Sequence, residues 1–550
     1  MGQAAEKLSF PDHNSDANSS DAESLDIIKS SYTPELVLVL CGQLGASSST
    51  VASILKEILE KDFGYEKCEV IKLSKFILNN KHRVDYSTPP PKATSSKRFN
   101  DIKEKIDIGN MLRDKFGHSI LADFAIHYIS QDRQRYEIEK IKKRTPEKIF
   151  TQEEISKLID DLGIEELSTD RRVAYVIDSV KNEDELKLLK LIYRDILYFI
   201  GVSAPIDIRT NNFLNAIDGK EKMNSVEIAE LINRDSGEEV PHGQKVNKII
   251  PLADFFLDVD PQDYKKIRQK LLRFIDLIFG TGIVTPTSSE TAMYLATSVA
   301  GNSACLSRQV GAVVTDEKGE ILGVGWNDVP KFGGGLYDGS EKDENGESLD
   351  KRCMNLRDGL CFNDYEKKII TEQIANSIQE LIRPDISFDQ LTTKIKSSNI
   401  SNLIEFSRAI HAEMHAIITA SQKTGERVKN GKLFCTTYPC HNCARHIITA
   451  GIKEVYYIEP YRKSLTIKLH GDAITEERGN KENMVTLLPF DGIGPNKYLQ
   501  LFDMIPDSRK KNGVMRKKNR IEAKPKMSIS LSAIPFLEAR IFQEVESKLK

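Results

Sequence analysis

Two short motifs constrain this chain most, because their side chains are of the kinds that bind one metal ion together. The first is His411-Ala412-Glu413, and the second, further along, is Pro439-Cys440-His441-Asn442-Cys443. One imidazole and two thiolates form a ligand set of catalytic zinc, which keeps its fourth tetrahedral position open for water. The fold must therefore bring two separate segments to one point.

The flanking sequence predicts a helix start at each motif. Residues 431–438 are typical of a buried strand, and residues 440–450 of a helix that ends at Gly451. Both thiols would lie in the first helical turn, where the helix dipole favours the thiolate form. A CxxC pair can also be a redox pair or half of a structural zinc site, and His-Ala-Glu can occur by chance in a helix. The order of the two motifs, each at a helix start, favours the catalytic zinc.

Each residue type has a role in removing an amine from a ring. We predict that His411, Cys440 and Cys443 bind Zn²⁺, which lowers the pKa of bound water from about 15.7 towards about 7. Glu413 is too close in sequence to His411 to be an ordinary fourth ligand. It can instead take the proton of the water, deliver it to the ring nitrogen and protonate the departing amine. This set resembles that of zinc-dependent nucleobase deaminases.

A preceding segment makes the resemblance more specific. Residues 303–314 (SACLSRQVGAVV) and 321–330 (ILGVGWNDVP) resemble the opening hairpin of deoxycytidylate deaminases, which carry a similar RQVGAVIV strand and GYNGxP turn. The resemblance implies that Asn327 contacts the sugar or base of the substrate, and that Arg308 lies near the nucleotide end of the pocket. Alternatively, Asn327 only closes the turn of a hairpin.

Other positions near the motifs follow or depart from the family pattern. Those deaminases have Asn two positions after the catalytic Glu, whereas this chain has His415, which we include among the substrate-binding candidates. Tyr461 follows a predicted strand where the family places pocket-wall residues, and it either stacks on the pyrimidine or simply packs. In the long segment 333–364, Cys353 and Cys361 are either part of a second zinc site, as in some relatives, or plain buried thiols.

The N-terminal part contains a strand, a Gly/Ser turn and a helix, predicted at residues 36–40, 41–50 and 51–61. Such a turn presents backbone amides to a phosphate. A complete phosphate-binding loop also needs Gly and Lys before its Ser/Thr, where this chain has Ser47 and Ser48, so the charge that follows a transferring phosphoryl group is missing. We predict nucleotide binding without phosphoryl transfer, or else a scaffold in which the turn merely links two elements. The candidate residues are Gly42, Gly45, Ser47, Ser48, Ser49 and Thr50.

The order of later segments predicts the domain organisation. Arg209, then Arg234-Asp235, then residues 253–256 occur in an order similar to that of small nucleotide and nucleoside kinases. The sequence thus predicts an α/β chain with a P-loop kinase-like doubly wound domain and a cytidine-deaminase-like α/β/α layered domain, the latter beginning with a helix at residues 288–300. The predicted boundaries are 1–32 for a disordered leader, 33–284 for the first domain, 285–506 for the second, and 507–550 for a basic tail.

Composition bounds the setting of the protein. Hydrophobic residues make up 40% and charged residues 29% of the 550 residues, no apolar run is long enough to span a membrane, and the polar N-terminus lacks a signal peptide. With eight cysteines and no disulfide pattern, we expect a cytoplasmic protein without a membrane partner. The net charge of −3 gives no global attraction to nucleic acid, although residues 509–526 carry nine Lys/Arg against one Glu.

Together the two predicted domains resemble, over nearly the whole chain, the two-domain deoxycytidine nucleotide deaminases of bacterial antiphage defence. The resemblance implies that free dCTP, dCMP or both are converted to uracil nucleotides, which depletes a DNA precursor. The partners it implies are a nucleotide effector at the N-terminal domain, a small regulatory RNA and further copies in a homo-oligomer. Two other functions stay open: a polynucleotide-editing deaminase that uses the basic tail, and a non-catalytic nucleotide sensor or scaffold.

Overall fold

The chain forms two six-stranded sheets with helices on their faces, so its class is α/β as predicted. The computed structural model describes residues 33–87, 96–144, 171–215, 222–238, 240–260, 263–383, 385–461, 464–477, 483–504, 509–527, 534, 538, 541 and 545–548. The predicted leader, residues 1–32, lies outside the described residues.

Strands and helices alternate along most of the chain. The strands are β1 Leu36–Gly42, β2 Lys67–Lys72, β3 Val173–Asp178, β4 Leu197–Ser203, β5 Phe255–Asp258, β6 Gly311–Thr315, β7 Ile321–Trp326, β8 Lys432–Thr437, β9 Glu454–Glu459, β10 Ile474–Thr475, β11 Val485–Pro489, β12 Gly492–Ile493, β13 Lys510–Lys511 and β14 Val514–Met515. The α-helices are α1 Ser48–Glu57, α2 Leu73–Asn79, α3 Lys97–Phe116, α4 Ile120–Arg144, α5 Glu183–Tyr193, α6 Ile206–Leu214, α7 Ser225–Ser236, α8 Val246–Ile249, α9 Tyr264–Phe279, α10 Ser288–Ala300, α11 Phe362–Ile378, α12 Phe388–Lys396, α13 Ala412–Thr424, α14 His441–Thr449, α15 Thr466–His470 and α16 Pro495–Phe502.

The first sheet has the strand order β12-β5-β4-β1-β3-β2, and β1 to β5 run parallel. Its central strand β1 reads LVLVLCG and every residue in it is buried. A parallel strand covered on both faces is expected to be continuously apolar, because helices pack on each side. The sequence therefore predicted this strand, and the helix after the Gly/Ser turn, correctly in kind, although α1 begins at Ser48 and is followed by a π-helical turn at residues 58–62.

The second sheet has the order β10-β11-β9-β8-β6-β7 and is layered between helices. Alternate residues of β6 face opposite sides: Ala312 and Val314 pack with α13 and α14, whereas Val313 packs on the side of α10. Gly325 lets α13 lie directly on β7, because a Cβ there would sit 2.3 Å from the backbone nitrogen of Ala416. This close packing fixes the start of α13, which carries the first metal-binding motif.

The two sheets belong to units that are joined through a common core. Strand β12 follows the second sheet in sequence but pairs antiparallel with β5 of the first sheet. Phe490 and Phe256 contact each other in one hydrophobic cluster that also contains Val313. The buried carboxylate of Glu290 in α10 accepts two hydrogen bonds from Arg273 of α9, each 2.8 Å long. The units therefore have little freedom to fold or move independently.

Beyond the basic run of residues 509–526, which is mostly exposed, described residues of the C-terminal segment pack into the protein. Ile534 and Val545 are both 1% exposed and lie in the core of the N-terminal unit. Between them, Glu538 pairs with Arg133 at 3.2 Å, and Arg133 also pairs with Glu35 at 2.6 Å. The apolar residues of this segment, rather than its charge, set where its described part lies.

Candidate active site

Three potential ligand atoms converge at the starts of two helices. His411 immediately precedes α13, Cys440 immediately precedes α14, and Cys443 lies in the first turn of α14. The Nδ1 atom of His411 is 3.3 Å from the Sγ of Cys440 and 3.2 Å from the Sγ of Cys443. Within the part of the chain that the structure describes, this is the one cluster of three such groups whose ligand atoms all lie within 4.8 Å of one another.

The donor set fits zinc in chemistry and in size. Zn–S bonds of about 2.3 Å and a Zn–N bond of about 2.0 Å, at the tetrahedral angle, separate the S and N atoms by about 3.5 Å. The observed separations are close to this value. Two thiols and one imidazole leave one position open, as catalytic zinc sites do. His411, Cys440 and Cys443 are therefore the residues that would hold the ion.

Burial and neighbouring groups shift the pKa values of the cluster in different directions. A hydrogen bond from the Cys443 thiol, with a second from His411, lowers the pKa of Cys440 to about 4. Burial, followed by the hydrogen bond to Cys440, raises the pKa of Cys443 well above its usual value. Although burial opposes it, the hydrogen bond to Cys440 raises the pKa of His411 to about 9. Metal binding would release the remaining protons, because the ligands must be a thiolate pair and a neutral imidazole.

Glu413 lies beside this cluster without belonging to it. It is in the first turn of α13, only 4% of its surface is exposed, and it lines the same cavity as His411. Burial raises the pKa of its carboxyl group. A buried carboxyl group that faces a cavity is suited to carry a proton between water and a bound molecule.

The cluster opens into a cavity of about 700 Å³, which is within the usual range for small-molecule sites. Its walls come from both units of the chain. From the C-terminal unit they include the predicted residues Asn327, Arg308 and Tyr461, together with Thr437, Tyr438, Glu459 and Pro460. From the N-terminal unit they include Ser236, Gly237, Glu238, Lys245, Asn247 and Lys248.

The three predicted substrate residues that line the cavity are held in place by the protein. The side-chain oxygen of Asn327 accepts a hydrogen bond of 2.7 Å from the backbone of Val310, and its nitrogen donates one of 2.9 Å to the carbonyl of Arg308. The guanidinium of Arg308 is 3.4 Å from Glu459 and 5.7 Å from the ring centre of Tyr461. Asn327 thus retains one N–H for a ligand, and Arg308 and Tyr461 form a joint wall.

His415 lies elsewhere. Its Nδ1 is 3.2 Å from the backbone nitrogen of Trp326, and its ring meets the Trp326 ring edge-on at 5.0 Å. Burial lowers the pKa of His415. It does not line the cavity. His415 was a candidate because the family pattern has a sugar-binding Asn two positions after the catalytic Glu, but its side chain is turned towards β7.

The predicted phosphate loop after β1 is in contact with groups of the protein itself. The carboxylate of Asp235 accepts a 2.7 Å hydrogen bond from the backbone N–H of Leu44 and pairs at 2.7 Å with Lys181. The Ser48 hydroxyl hydrogen-bonds to Asp178, the acid that ends β3, and burial raises the pKa of that carboxyl.

The loop's second glycine is required by its backbone conformation. Gly45 has a φ of +86°, and a Cβ there would lie 2.9 Å from the carbonyl of Arg209. Of the other candidate residues, Gly42 ends β1, Ser47 immediately precedes α1, and Ser49 and Thr50 lie in the first turn of α1. Their role in nucleotide binding stays a prediction.

The two cysteines considered for a second zinc site lie near each other and near a third. Cys353, Cys361 and Cys305 line a separate small cavity of about 20 Å³. Among the residues that the structure describes, they do not form a three-ligand cluster of the kind found at His411. A second zinc site at Cys353 and Cys361 stays a prediction.

Sequence reasoning missed the N-terminal half of the cavity wall. The local sequence carries no motif around Lys245, Asn247 and Lys248, where polar and apolar residues are mixed. Only the docking of the two units shows that these residues line the cavity. Separately, none of the helices that the structure describes is long and apolar enough to cross a membrane.

The chain is similar to known proteins around this site. Residues 286–459 match the family described as cytidine and deoxycytidylate deaminase zinc-binding region. The deoxycytidylate deaminase of Enterobacteria phage T4 is 26% identical over 181 residues, which cover 32% of this chain and 80% of the phage protein. That of Saccharomyces cerevisiae is 23% identical over 299 residues, 52% of this chain and 76% of the yeast protein.

A solved structure of a cyanophage S-TIM5 dCMP deaminase with dCMP and dUMP is 23% identical to this chain. It covers 38% of this chain and 99% of its own length, with a TM-score of 0.22. The family match includes His411 and Glu413 and ends at Glu459, so it contains the whole ligand cluster. The C-terminal part of this chain therefore contains a zinc-binding region of the cytidine and deoxycytidylate deaminase type.

Proposed function

We propose that this protein is a zinc-dependent enzyme that hydrolytically deaminates free deoxycytidine nucleotides, dCTP or dCMP, to the deoxyuridine nucleotides. The observation that carries the proposal is the convergence of His411, Cys440 and Cys443 beside the buried Glu413 in one cavity. The match of residues 286–459 to the deaminase family supports the reaction, and the deoxycytidylate deaminase relatives support the substrate class.

The reaction needs one water and releases one ammonia. A C–O bond to C4 of the cytosine ring forms, the C4–N bond to the exocyclic amine breaks, and the product is a uracil ring. A zinc ion at the site would supply a water of lowered pKa. Glu413 accepts a proton from the water, passes one to ring nitrogen N3 and then protonates the leaving amine. Its burial beside the ligand cluster keeps these transfers away from bulk solvent.

The cavity residues suggest how the nucleotide is held. We assign Tyr461 to stacking on the pyrimidine, Asn327 to a contact with the sugar or base through its remaining N–H, and Arg308 to the phosphate nearest the sugar. The Arg308–Glu459 pair is half exposed, so the guanidinium can turn from Glu459 to a phosphate at small cost. His415 is left out of this set because it contacts Trp326 instead.

The resemblance to two-domain antiphage deaminases supports a wider role. In that role the enzyme lowers the dCTP pool available for viral DNA synthesis, and the loop after β1 binds a nucleotide effector. A small regulatory RNA and a homo-oligomer belong to the same proposal. The contact of Asp235 with Leu44 means that an effector phosphate would have to displace a carboxylate.

A substrate panel tests the proposed function directly. The purified, zinc-loaded protein is incubated with dCTP, dCMP, CTP, single-stranded DNA and tRNA, and ammonia and uracil products are measured. We expect product from the free deoxycytidine nucleotides, and we expect Glu413→Gln to form that product about 10²- to 10⁴-fold more slowly. Product from a polynucleotide alone would support an editing deaminase instead, and no product from any substrate would support a sensor or scaffold.

A further inference from the structure

The active-site cavity has a wall that belongs to neither metal motif nor deaminase hairpin. Residues 236–238 and Lys245, Asn247 and Lys248, all from the N-terminal unit, line the cavity that also contains His411 and Glu413. The joined cores of the two units hold this wall in place. A molecule in the cavity is therefore contacted by both units.

The charged groups of this wall are not equivalent. The carboxylate of Glu238 is fully engaged: it accepts hydrogen bonds from Arg234 at 2.9 Å, Asn110 at 2.7 Å and the backbone of Gln244 at 2.9 Å. Its charge is thus neutralised within the protein.

Lys245 and Lys248 are different, because their ammonium groups have no ion pair or hydrogen bond in the part of the chain that the structure describes. The other cations that line the cavity do have protein partners. Arg308 pairs with Glu459, and Lys367 donates to the carbonyl of Ser401 at 3.1 Å. Two lysines that line the cavity and whose ammonium groups have no partner among the described residues are available to an anionic ligand.

The backbone that carries these lysines is fixed. The N–H of Lys245 donates to the carbonyl of Lys181 at 2.9 Å, and the N–H of Lys248 donates to the carbonyl of Lys245 at 2.9 Å. Val246, which lies between the two lysines, and Ile249, which follows Lys248, are both 0% exposed. Only the lysine side chains have to be ordered when a ligand binds, so little entropy is lost from the backbone.

We propose that Lys245 and Lys248 bind the phosphates of the substrate beyond the first, so that the N-terminal unit makes the deaminase selective for the deoxycytidine triphosphate. This inference rests on the proposed function. The C-terminal unit already supplies Arg308 for the phosphate next to the sugar, and each further phosphate adds about one negative charge. The two unpartnered lysines supply the positive charges that match those further phosphates.

The test compares substrates that differ only in phosphate number. Lys245→Gln, Lys248→Gln and the double variant are assayed with dCTP, dCMP and deoxycytidine, and kcat and KM are separated. We expect the double variant to lose about 10- to 100-fold in kcat/KM for dCTP, mainly through KM, because two charge-assisted contacts are removed. The loss for dCMP should be several-fold smaller, and the Lys245→Arg/Lys248→Arg variant should recover most of the dCTP activity.

A matched control separates a local effect from a change in overall charge or folding. Lys265 is an exposed lysine of α9 that does not line this cavity, so Lys265→Gln should leave all three kcat/KM values near wild type. Thermal unfolding of each variant shows whether it is folded. If a Gln variant is destabilised, the ratio of dCTP to dCMP activity within that variant still reports selectivity.

The outcomes distinguish this inference from the proposed function. If the wild-type protein deaminates no nucleotide, the proposed function is wrong. If it is active but prefers dCMP to dCTP, or if the double variant loses dCTP and dCMP activity equally or not at all, the proposed function stands and the assignment of Lys245 and Lys248 is overturned. A selective loss for dCTP supports both.

Discussion

Two strand–loop–helix junctions in this protein have the same backbone arrangement, but different chemical groups meet at them. In the N-terminal unit β1 leads through a Gly/Ser turn into α1, and in the C-terminal unit β8 leads through Tyr438-Pro439 into α14. Both place the positive end of a helix at the end of a buried strand. At the second junction Cys440 and Cys443 meet His411 in a cavity. At the first, the amide of Leu44 meets the chain's own Asp235.

The comparison shows that a helix start does not specify a ligand by itself. Backbone amides at a helix N-terminus accept any well-placed anion. What lies opposite decides which anion that is: ligating side chains at α14, and a carboxylate paired with Lys181 at α1. From this contrast we expect substitutions at the α14 junction to abolish deaminase activity. Substitutions at the α1 junction should instead change the stability of the protein and its binding of nucleotides.

Removing a ligand at the α14 junction should therefore do the most damage. We expect Cys440→Ser to lose both bound zinc and deaminase activity, because two remaining ligands hold the ion poorly. Metal content measured by mass spectrometry, together with ammonia release, checks this. Cys68→Ala, at a buried thiol of the N-terminal unit, is the control and should keep its zinc. A Cys440→Ser protein with a full complement of zinc would show that the cluster is not the metal site.

Changing the proton carrier should remove activity without removing metal. We expect Glu413→Gln to lower kcat by about 10²- to 10⁴-fold, since the amide keeps the shape but cannot accept a proton. The zinc content should stay at the wild-type level, because Glu413 is outside the three-atom cluster. Zinc loss in this variant would reassign Glu413 as a ligand.

Removing the carboxylate of Asp235 at the α1 junction should destabilise the protein and expose the loop after β1. Asp235→Asn removes the carboxylate that pairs with the largely buried Lys181, which should lower the free energy of unfolding by about 3–5 kcal/mol. The double variant Lys181→Met/Asp235→Leu should recover much of that loss. Chemical denaturation measures both, and an unchanged unfolding free energy in Asp235→Asn would show that the pair does not hold the junction.

The same variant tests the nucleotide-binding prediction for this loop. If Gly42, Gly45 and the serines form a latent phosphate site, Asp235→Asn should bind a nucleoside triphosphate about 10-fold more tightly than wild type, because a competing negative charge is gone. Calorimetric titration with the Glu413→Gln background removes turnover. Equal or absent binding in both proteins would make the junction a structural link only.

A smaller effect is expected at Asn327, whose side chain serves the protein as well as the cavity. Asn327→Ala removes hydrogen bonds to Val310 and Arg308 and should lower the free energy of unfolding by about 1–3 kcal/mol. If Asn327 also contacts substrate, the fall in kcat/KM, expressed as a free energy, should exceed the fall in the free energy of unfolding. Asn327→Asp retains the acceptor for Val310 and loses the donor. A drop in melting temperature with unchanged kinetics in both variants would leave Asn327 as a turn residue.

Features that depend on a few neighbouring residues were predictable from the amino-acid sequence. His411, Glu413, Cys440 and Cys443 were predicted together because chemistry needs those residue types at helix starts, and helix α10 was predicted with its observed bounds at residues 288–300. The strand β1 followed from a continuous apolar run, since both faces of a parallel sheet are covered.

Groups that face each other across long distances in sequence were set by the tertiary packing. It turned His415 towards Trp326, set Asp235 against Leu44, and brought Lys245 and Lys248 to a cavity whose metal cluster lies more than a hundred residues later in the chain. No local pattern records these contacts, because each depends on how two separately formed layers pack. The local sequence around a lysine before a buried turn is the same whether the lysine faces water or a substrate. The docking of the second unit decides which of the two it faces.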